Sequence, residues 1–361
     1  MNRKITTVAA AAAVAVLAGC ANTPDGTSQG SAVRSGVSVA EVGSFHIGGR
    51  MVTLSGLPEK EVRFTPTSPV TRLDPNGEFE VEQMYTQYVK LATTARRAPY
   101  PMLMWHGGGL AGVTWETKPD GQPGWQMYFL AAGHDVYVSD AVERGRASWA
   151  RYPEIFTSEP VFRTKKEAWE LFRIGPTPSY ESAKSRSAYP DTQFPIAAFD
   201  QFMKQGVPRW VTNDAPTLRA YDALVNKVCP CVITVHSQGS TFAYQLANSY
   251  PDKIKAVVGI EPSGALDPDK VDVAPLAKVP LLFVWGDKIR ETPRWVSIQA
   301  PMKNMIAAVQ AKGGRVDELD LPTMGIKGNS HMMMMDRNSD QIASLVQDWL
   351  IRRGLAGRTS P

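Results

Sequence analysis

Short apolar segments alternate with longer mixed segments along most of the chain. From about residue 47 onward, two stretches predict opening antiparallel strands, and six short apolar runs that end in loop residues predict further strands. This alternation is typical of a mostly parallel sheet with helices on both faces. The predicted strands lie within 48–56, 78–92, 100–109, 133–140, 231–240, 255–264, 280–287 and 315–322, and the predicted helices within 240–250, 302–312 and 339–353.

An insertion interrupts this alternation between the fourth and fifth predicted strands. The residues between 140 and 231 are far more than one crossover connection needs. The part from about 143 to 213 is rich in aromatic and basic residues. We therefore expect a single domain over 41–361, with a partly helical cap over the strand ends formed by 143–213.

The N-terminal residues have the pattern of an export signal. Arg3 and Lys4 precede an apolar run from Val8 to Leu17, which is too short for a permanent transmembrane helix. The following LAGC resembles the bacterial lipobox, although an ordinary signal peptidase site is the alternative. We expect a lipoprotein signal peptide over 1–19, lipidation of Cys20 and a flexible tether over 20–40. These features predict an exported protein of the bacterial cell envelope, held to a membrane by its lipid alone.

Charge and cysteine content narrow the possible partners. The hydrophobic fraction of 43% is ordinary for a folded globular protein, and the net charge is +4, of which the predicted signal peptide carries Arg3 and Lys4. This small excess gives no reason to expect binding to nucleic acid or to an anionic membrane. Cys229 and Cys231 are only two residues apart, so we expect buried free thiols; a metal site there would need more ligands than the region offers.

A candidate nucleophile lies in VITVHSQGS, residues 232–240. Ser237 follows a predicted strand in a pattern close to GxSxG, but Val235 replaces the first glycine and only Gly239 is kept. A serine hydroxyl attacks a carbonyl only when a base takes its proton and N–H donors stabilise the oxyanion. The chain must therefore supply these partners elsewhere.

His331 is the candidate base. It lies in a loop after the last predicted strand, where a sheet of this winding can bring an imidazole back over the nucleophile. The other four histidines are less suitable. His46 is near the start of the domain, His134 begins a strand, His236 adjoins Ser237 at a turn that points neighbouring side chains apart, and His106 is expected to brace its loop.

The segment HGGGLAG, residues 106–112, is the candidate oxyanion loop. Consecutive glycines let backbone N–H groups turn toward a substrate oxygen, and HGGG is an oxyanion signature of lipases and esterases. We expect Gly108 or Gly109 to supply one donor and the amide of Gln238 the other.

Together, the serine in VHSQG, the preceding HGGG and the late His331 resemble the α/β-hydrolase fold over residues 45–354. That fold orders its triad as serine, acid, histidine. Two acids compete, because many members carry the acid after the seventh strand, where Asp287 stands in WGDKIRE. The other acid is Glu261, at the end of the sixth strand in VVGIEPSG.

The Glu261 alternative, together with HGGGLAGVTWETKPDG, is similar to the esterase 713-like group of bacterial carboxylesterases. That resemblance implies a triad of Ser237, Glu261 and His331, and ester hydrolysis without a cofactor or metal. We predict a serine carboxylesterase acting on a small-molecule or polymeric ester. The alternatives are an amidase or lactonase with the same triad, or a hydrolase-like lipoprotein that binds a ligand without turnover. Met332–Met335 either line an acyl pocket or fill the core.

Overall fold

A computed structural model describes residues 36–149 and 151–357 of the chain. The predicted signal peptide, the lipidation site Cys20 and most of the predicted tether lie outside these residues. Within them, no helix is both long enough and apolar enough to cross a lipid bilayer.

Strands make up the centre of the described chain. In chain order they are β1 (Val39–Leu54), β2 (Lys60–Val62), β3 (Thr71–Leu73), β4 (Gly77–Leu91), β5 (Met102–Trp105), β6 (Val136–Asp140), β7 (Tyr180–Ser182), β8 (Ser185–Arg186), β9 (Cys231–His236), β10 (Ile254–Ile260), β11 (Leu281–Trp285) and β12 (Val316–Asp320).

Eight of these strands form one sheet in the order β1-β4-β6-β5-β9-β10-β11-β12. The strands β1 and β4 pair in antiparallel fashion, β4 joins β6 in the same way, and all other neighbours are parallel. Each of the eight predicted strands lies in this sheet, so the prediction of a mostly parallel sheet is confirmed. The carboxyl ends of β5, β9 and β10 are adjacent, which is where a sheet of this kind places functional groups.

Helices cover both faces of the sheet. They are α1 (Val113–Glu116), α2 (Trp125–Ala131), α3 (Lys165–Leu171), α4 (Phe199–Phe202), α5 (Asp214–Val228), α6 (Ser240–Ser249), α7 (Pro293–Ala311) and α8 (Ser339–Arg352). Because side chains alternate along a strand, β5 contributes Met102 and Met104 to the core beneath α2 and α8, and Leu103 and Trp105 to the core beneath α5, α6 and α7.

Helix α7 starts earlier than its sequence pattern predicts. The apolar periodicity indicates a helix over 302–312, whereas α7 begins at Pro293 and includes Pro301. Proline is favoured in the first turn, where its missing N–H has no intrahelical acceptor, but it interrupts the pattern within a helix. Pro301 therefore hides the first half of α7 from a periodicity argument.

The insertion between β6 and α5 contains α3, α4 and the short hairpin β7–β8. One face of it packs into the main core through buried aromatic side chains, and Met332–Met335 are completely buried in the same core. The methionine run therefore fills the core, and the alternative of an acyl-pocket lining is wrong.

Cys229 and Cys231 form a disulfide, so the expectation of free thiols is wrong. Helix α5 ends at Val228 and β9 begins at Cys231, and the chain turns between them at Pro230. This turn brings the two Cα atoms to 4.4 Å, within the range that disulfides span.

Candidate active site

Ser237 lies on a sharp turn between a strand and a helix. Strand β9 ends at His236, a short 3-10 turn covers Ser237–Gly239, and α6 begins at Ser240. Ser237 has a φ of 50°, which non-glycine residues rarely adopt. A strained serine at this junction is the backbone feature of a nucleophile elbow.

Val235 replaces the first glycine of the elbow pattern and lies against Gly239, the glycine that is kept. A Cβ on Gly239 would lie 2.6 Å from the carbonyl oxygen of His106 and 2.9 Å from Cγ2 of Val235. The valine therefore occupies space that a side chain at 239 would need. A side chain at position 239 would also collide with the loop at His106, so the glycine that the chain keeps is needed there.

Glu261 and His331 are brought together behind the serine. Nδ1 of His331 donates to Oε2 of Glu261 over 2.7 Å, and both side chains are almost completely buried. Glu261 follows the last residue of β10, and its backbone N–H donates to Val284 of the neighbouring strand. With Nδ1 occupied by the carboxylate, Nε2 is left as the acceptor that a general base needs.

Several contacts fix the orientation of the His331 imidazole. Its ring centroid lies 4.4 Å from that of Trp295 and 5.3 Å from that of Phe172. The backbone N–H of His331 donates to the carbonyl of Phe172 over 2.9 Å, and its own carbonyl accepts from Nε2 of His236 over 3.0 Å. His236 therefore helps to hold the backbone at His331, and its Nε2 is engaged by this contact.

Ser237 and His331 line the same cavity, which has a volume of about 120 Å³. The hydroxyl of Ser237 lies 3.4 Å from that of Ser263, and among the described residues it forms no hydrogen bond with His331. Rotation about the Cα–Cβ bond redirects a serine hydroxyl, and catalytic hydrogen bonds are often long before substrate binds. Sequence reasoning missed Ser263, which has no motif of its own.

The glycine loop passes close to the serine. A Cβ on Gly107 would lie 2.9 Å from Cβ of Ser237, so only glycine permits this approach. Gly108 borders the same cavity as Ser237 and Gln238, whereas Gly109 borders an apolar cavity of about 80 Å³ next to it. The backbone N–H groups of Gly108 and Gly109 donate to no residue in the described part of the chain.

His106 holds this loop from within the fold. Its Nδ1 donates to the carbonyl of Gly107 over 2.8 Å, and its Nε2 accepts from the backbone N–H of Ala141 over 3.0 Å. Burial lowers the pKa of His106 to about 4, so the ring is neutral near pH 7 and can keep both roles.

Asp287 is placed away from the imidazole. Its Oδ2 accepts from the backbone N–H of Gly328 over 2.8 Å, and its Oδ1 accepts from the N–H of Lys288 over 2.8 Å. Its own N–H donates to the carbonyl of Asn329. Asp287 thus ties the end of β11 to the loop that carries His331, and Glu261 is the carboxylate that contacts the ring.

A second buried carboxylate braces the same loop. Asp336 accepts from the backbone N–H and the hydroxyl of Ser330, over 2.8 and 2.7 Å, and from Nδ2 of Asn329 over 2.9 Å. Burial raises the pKa of Asp336 to about 6. The two residues that precede His331 are therefore anchored by their side chains and backbone.

Arg173 is a site residue that sequence reasoning missed. Its Nη2 forms a short hydrogen bond with Oε1 of Glu261, and its Nε donates to the carbonyl of Asp287 over 2.7 Å. The guanidinium lies 4.5 Å from the ring centroid of Trp295, and its side chain is 1% exposed. No motif marks this arginine, because it comes from the inserted segment and reaches the sheet only through tertiary packing.

The electrostatics of this cluster oppose the charged form of the imidazole. Burial, and then the charges of Arg173 and Arg163, lower the pKa of His331 well below its ordinary value. Burial also raises the pKa of Glu261, and Arg173 and the N–H of Gly286 act in the opposite direction. The arrangement therefore favours a neutral imidazole near pH 7, as a general base requires.

The described residues contain no group of three or more histidine, cysteine, aspartate or glutamate side chains that could hold a metal ion. What the cluster offers is a buried carboxylate, an oriented imidazole, a strained serine and two unengaged backbone N–H groups. These are the components of acyl transfer through a serine nucleophile.

No protein-family model matches the chain. A solved structure described as "a Novel Bacterial Esterase" is 35% identical to this chain and superposes on it with a TM-score of 0.74. The match covers 88% of this chain and 98% of the esterase chain. A fungal protein named "Probable secreted lipase phiG" is 26% identical over an alignment of 327 residues, and the match covers 76% of this chain and 87% of the fungal protein. The chain therefore belongs to the family of α/β-hydrolase-fold serine esterases that is represented by the bacterial structure.

Proposed function

We propose that the protein is a serine carboxylesterase in which Ser237 is the nucleophile, His331 the general base and Glu261 the acid that orients it. One observation carries the assignment of these residues: the imidazole that Glu261 holds opens into the same cavity as the serine on the strained turn. Asp287, the alternative acid, is engaged with the backbone of the loop.

In the first half of the reaction, His331 takes the proton of the Ser237 hydroxyl as Oγ attacks the ester carbonyl. The backbone N–H groups of Gly108 or Gly109 and of Gln238 bind the oxyanion that forms, and each such donor is typically worth about 10²–10³ in rate. Collapse of the tetrahedral intermediate releases the alcohol, which takes its proton from His331. The acyl group is left on Ser237.

In the second half, water replaces the alcohol. His331 takes a proton from this water, which attacks the acyl-enzyme, and the same N–H groups again stabilise the oxyanion. The bond between the acyl carbon and Oγ then breaks, His331 returns its proton to Oγ, and the carboxylic acid leaves with the Ser237 hydroxyl restored. Glu261 remains ionised throughout and stabilises the imidazolium that forms in each half.

Covalent labelling tests this proposal directly. A fluorophosphonate should form one adduct per chain, which peptide mass spectrometry locates on Ser237, and a short-chain p-nitrophenyl ester should protect against it. An adduct on a different serine, or no adduct in a folded protein, would contradict the assignment of the nucleophile.

Arg173 has a positioning role in this mechanism and affects its pH dependence. Neutral His331 is the active form, so activity is lost as the pH falls through the pKa of the imidazole. Arg173→Met removes a positive charge that lowers this pKa, so the acidic limb of the kcat/KM profile should move to higher pH. Arg173→Lys keeps the charge and should hold the limb near its wild-type position.

A profile of the Arg173→Met enzyme with a lower plateau but an unshifted acidic limb would contradict the electrostatic role. It would leave Arg173 as a packing residue between the inserted segment and the sheet. The lysine variant serves as the matched control, because it changes the hydrogen-bond geometry but not the charge.

We further propose that the protein is exported and lipidated on Cys20. The secreted fungal relative supports export, and LAGC at 17–20 supports the lipid. In a bacterial host the full chain should separate with the membrane fraction and incorporate labelled palmitate, whereas Cys20→Ala should do neither. A membrane-bound but unlabelled wild-type protein would contradict lipidation.

A further inference from the structure

The cavity beside Ser237 is bordered by positively charged side chains and, among the described residues, by no acidic one. Three arginines border it: Arg163 and Arg209 from the inserted segment and Arg294 from the first turn of α7. Ester hydrolysis itself requires no cation here, because the backbone N–H groups meet the oxyanion. The arginines therefore need a separate explanation.

The surrounding carboxylates do not balance this charge. Glu167 accepts from Nη1 of Arg163 over 2.8 Å and lies 3.9 Å from Nη2 of Arg294. Arg209 forms no ion pair with a carboxylate of residues 36–149 or 151–357. The nearby Asp214 instead accepts from the side chain of Gln238 over 3.3 Å. Glu167 is therefore shared by Arg163 and Arg294, and Arg209 has no carboxylate partner among the described residues.

Two of these arginines also have buried nitrogen atoms without partners. Nε of Arg163 and Nε of Arg209 are inaccessible to solvent and have no hydrogen-bond acceptor within the described chain. A buried N–H group of a charged side chain that lacks an acceptor is costly. Burial lowers the pKa of Arg163, the charge of Glu167 acts to raise it, and the charges of Arg294 and Arg209 act to lower it.

The backbone holds the two like charges side by side. Val161 and Arg209 exchange hydrogen bonds of 2.8 and 2.9 Å as an isolated antiparallel bridge, which brings the segment containing Arg163 against Arg209. An anion bound between the two side chains would offset the repulsion between their charges and would accept hydrogen bonds from both guanidinium groups.

The arginines lie close to the oxyanion loop. A Cβ built on Gly108 would be 3.1 Å from Nη1 of Arg209, and a Cβ on Gly109 would be 3.8 Å from Nε of Arg163. An ester whose carbonyl is bound by this loop would therefore place its substituents within a few ångströms of both guanidinium groups.

We propose that the preferred substrates are esters that carry a carboxylate, which Arg209 and Arg163 bind while the ester carbonyl faces Ser237. This inference rests on the proposed function. Guanidinium groups match a carboxylate in charge and in fork geometry, so they can discriminate such an ester from a neutral one. Water cleaves the acyl–oxygen bond, and the products are an acid and an alcohol, one of which retains the second carboxylate.

Two substrate pairs test the proposal with the carboxylate on either side of the ester. Monomethyl glutarate carries it on the acyl side and is compared with dimethyl glutarate; 3-acetoxypropanoate carries it on the alcohol side and is compared with its methyl ester. The wild-type kcat/KM should favour at least one anionic ester by about 10-fold or more, the range for a charged hydrogen bond. No preference in either pair overturns the proposal.

The variants identify the residues responsible. Arg209→Gln should reduce the ratio of anionic to neutral kcat/KM by about 10-fold or more, and Arg209→Lys by less, because the charge remains. Arg219→Gln is the control, since that arginine is exposed on α5 and pairs with Glu82; its ratio should equal the wild-type ratio. An unchanged ratio in Arg209→Gln and in Arg163→Gln overturns the assignment.

A failure of this proposal can be distinguished from a failure of the proposed function by also measuring Ser237→Ala on the four esters. If Ser237 is required for hydrolysis of all four esters but neither pair shows a preference, only the substrate class is wrong. If hydrolysis persists without Ser237, the catalytic assignment itself fails. Since the neutral ester is measured with each variant, a folding defect lowers both rates and leaves their ratio unchanged.

Discussion

Replacement of Ser237 by alanine should reduce kcat on a p-nitrophenyl ester by about 10⁴–10⁶-fold, as expected when nucleophile and base act as a unit. Alanine removes the hydroxyl and leaves the turn intact, because the strained φ of 50° belongs to the backbone. The oxyanion loop and the imidazole remain in place. A small residual rate above that in water is therefore expected from the loop and from substrate binding.

Ser263→Ala is the matched control for this prediction. Its hydroxyl is 3.4 Å from that of Ser237, and Ser263 borders the same cavity. Its loss should leave most of the turnover and the fluorophosphonate adduct on Ser237. If Ser263→Ala were inactive and Ser237→Ala active, the assignment of Ser237 as the nucleophile would be wrong. Circular dichroism of both variants should match that of the wild type.

Exchange of Glu261 for glutamine should reduce kcat by about 10⁴-fold, since an amide in place of the orienting carboxylate favours the wrong imidazole tautomer. Glu261 Oε2 accepts from Nδ1 of His331 over 2.7 Å, and Oε1 accepts from Arg173 and from the N–H of Gly286. Glutamine keeps the shape but can place an N–H donor against Nδ1. It also leaves the buried charge of Arg173 without its carboxylate, which should lower the melting temperature.

Asp287→Asn tests the competing acid with an equally conservative exchange. Asp287 accepts from the backbone N–H groups of Gly328 and Lys288, and asparagine can keep only part of this pattern. The variant should lose stability through a looser His331 loop, yet retain kcat within about 10-fold. Should Asp287→Asn be the inactive enzyme and Glu261→Gln the active one, the proposed triad is incorrect. Kinetics and thermal unfolding on the same preparations separate the two effects.

Much of the sheet is predictable because its local signals are strong. Apolar runs of four to seven residues that are soon followed by glycine or serine mark strands such as β5 and β9 without any tertiary information. Helix α7 is half hidden by Pro301, since an internal proline resembles a helix end. The disulfide was missed because two cysteines so close in sequence can be joined only at a particular turn, whose geometry the sequence does not specify.

The residues of the candidate site also differ in how far the sequence predicts them. Ser237, the glycine loop and His331 can be found from sequence, because each follows a strand and parallel strands end at one edge of the sheet. The fold pattern alone left the acid open, since Glu261 and Asp287 follow adjacent strands and both are buried, and only the resemblance to the esterase group favoured Glu261. Their roles differ by a few ångströms of side-chain placement, which no local pattern encodes.

The sequence by itself therefore determined the architecture, the order of the candidate residues and the esterase family, because strand patterns and short motifs are local. Only the tertiary structure decided that Glu261 contacts His331, that Arg173 pairs with Glu261, and that Arg163 and Arg209 face the same cavity as Ser237. These contacts join segments distant along the chain. Their geometry is set by how the inserted segment packs on the sheet, and this packing depends on many weak contacts at once.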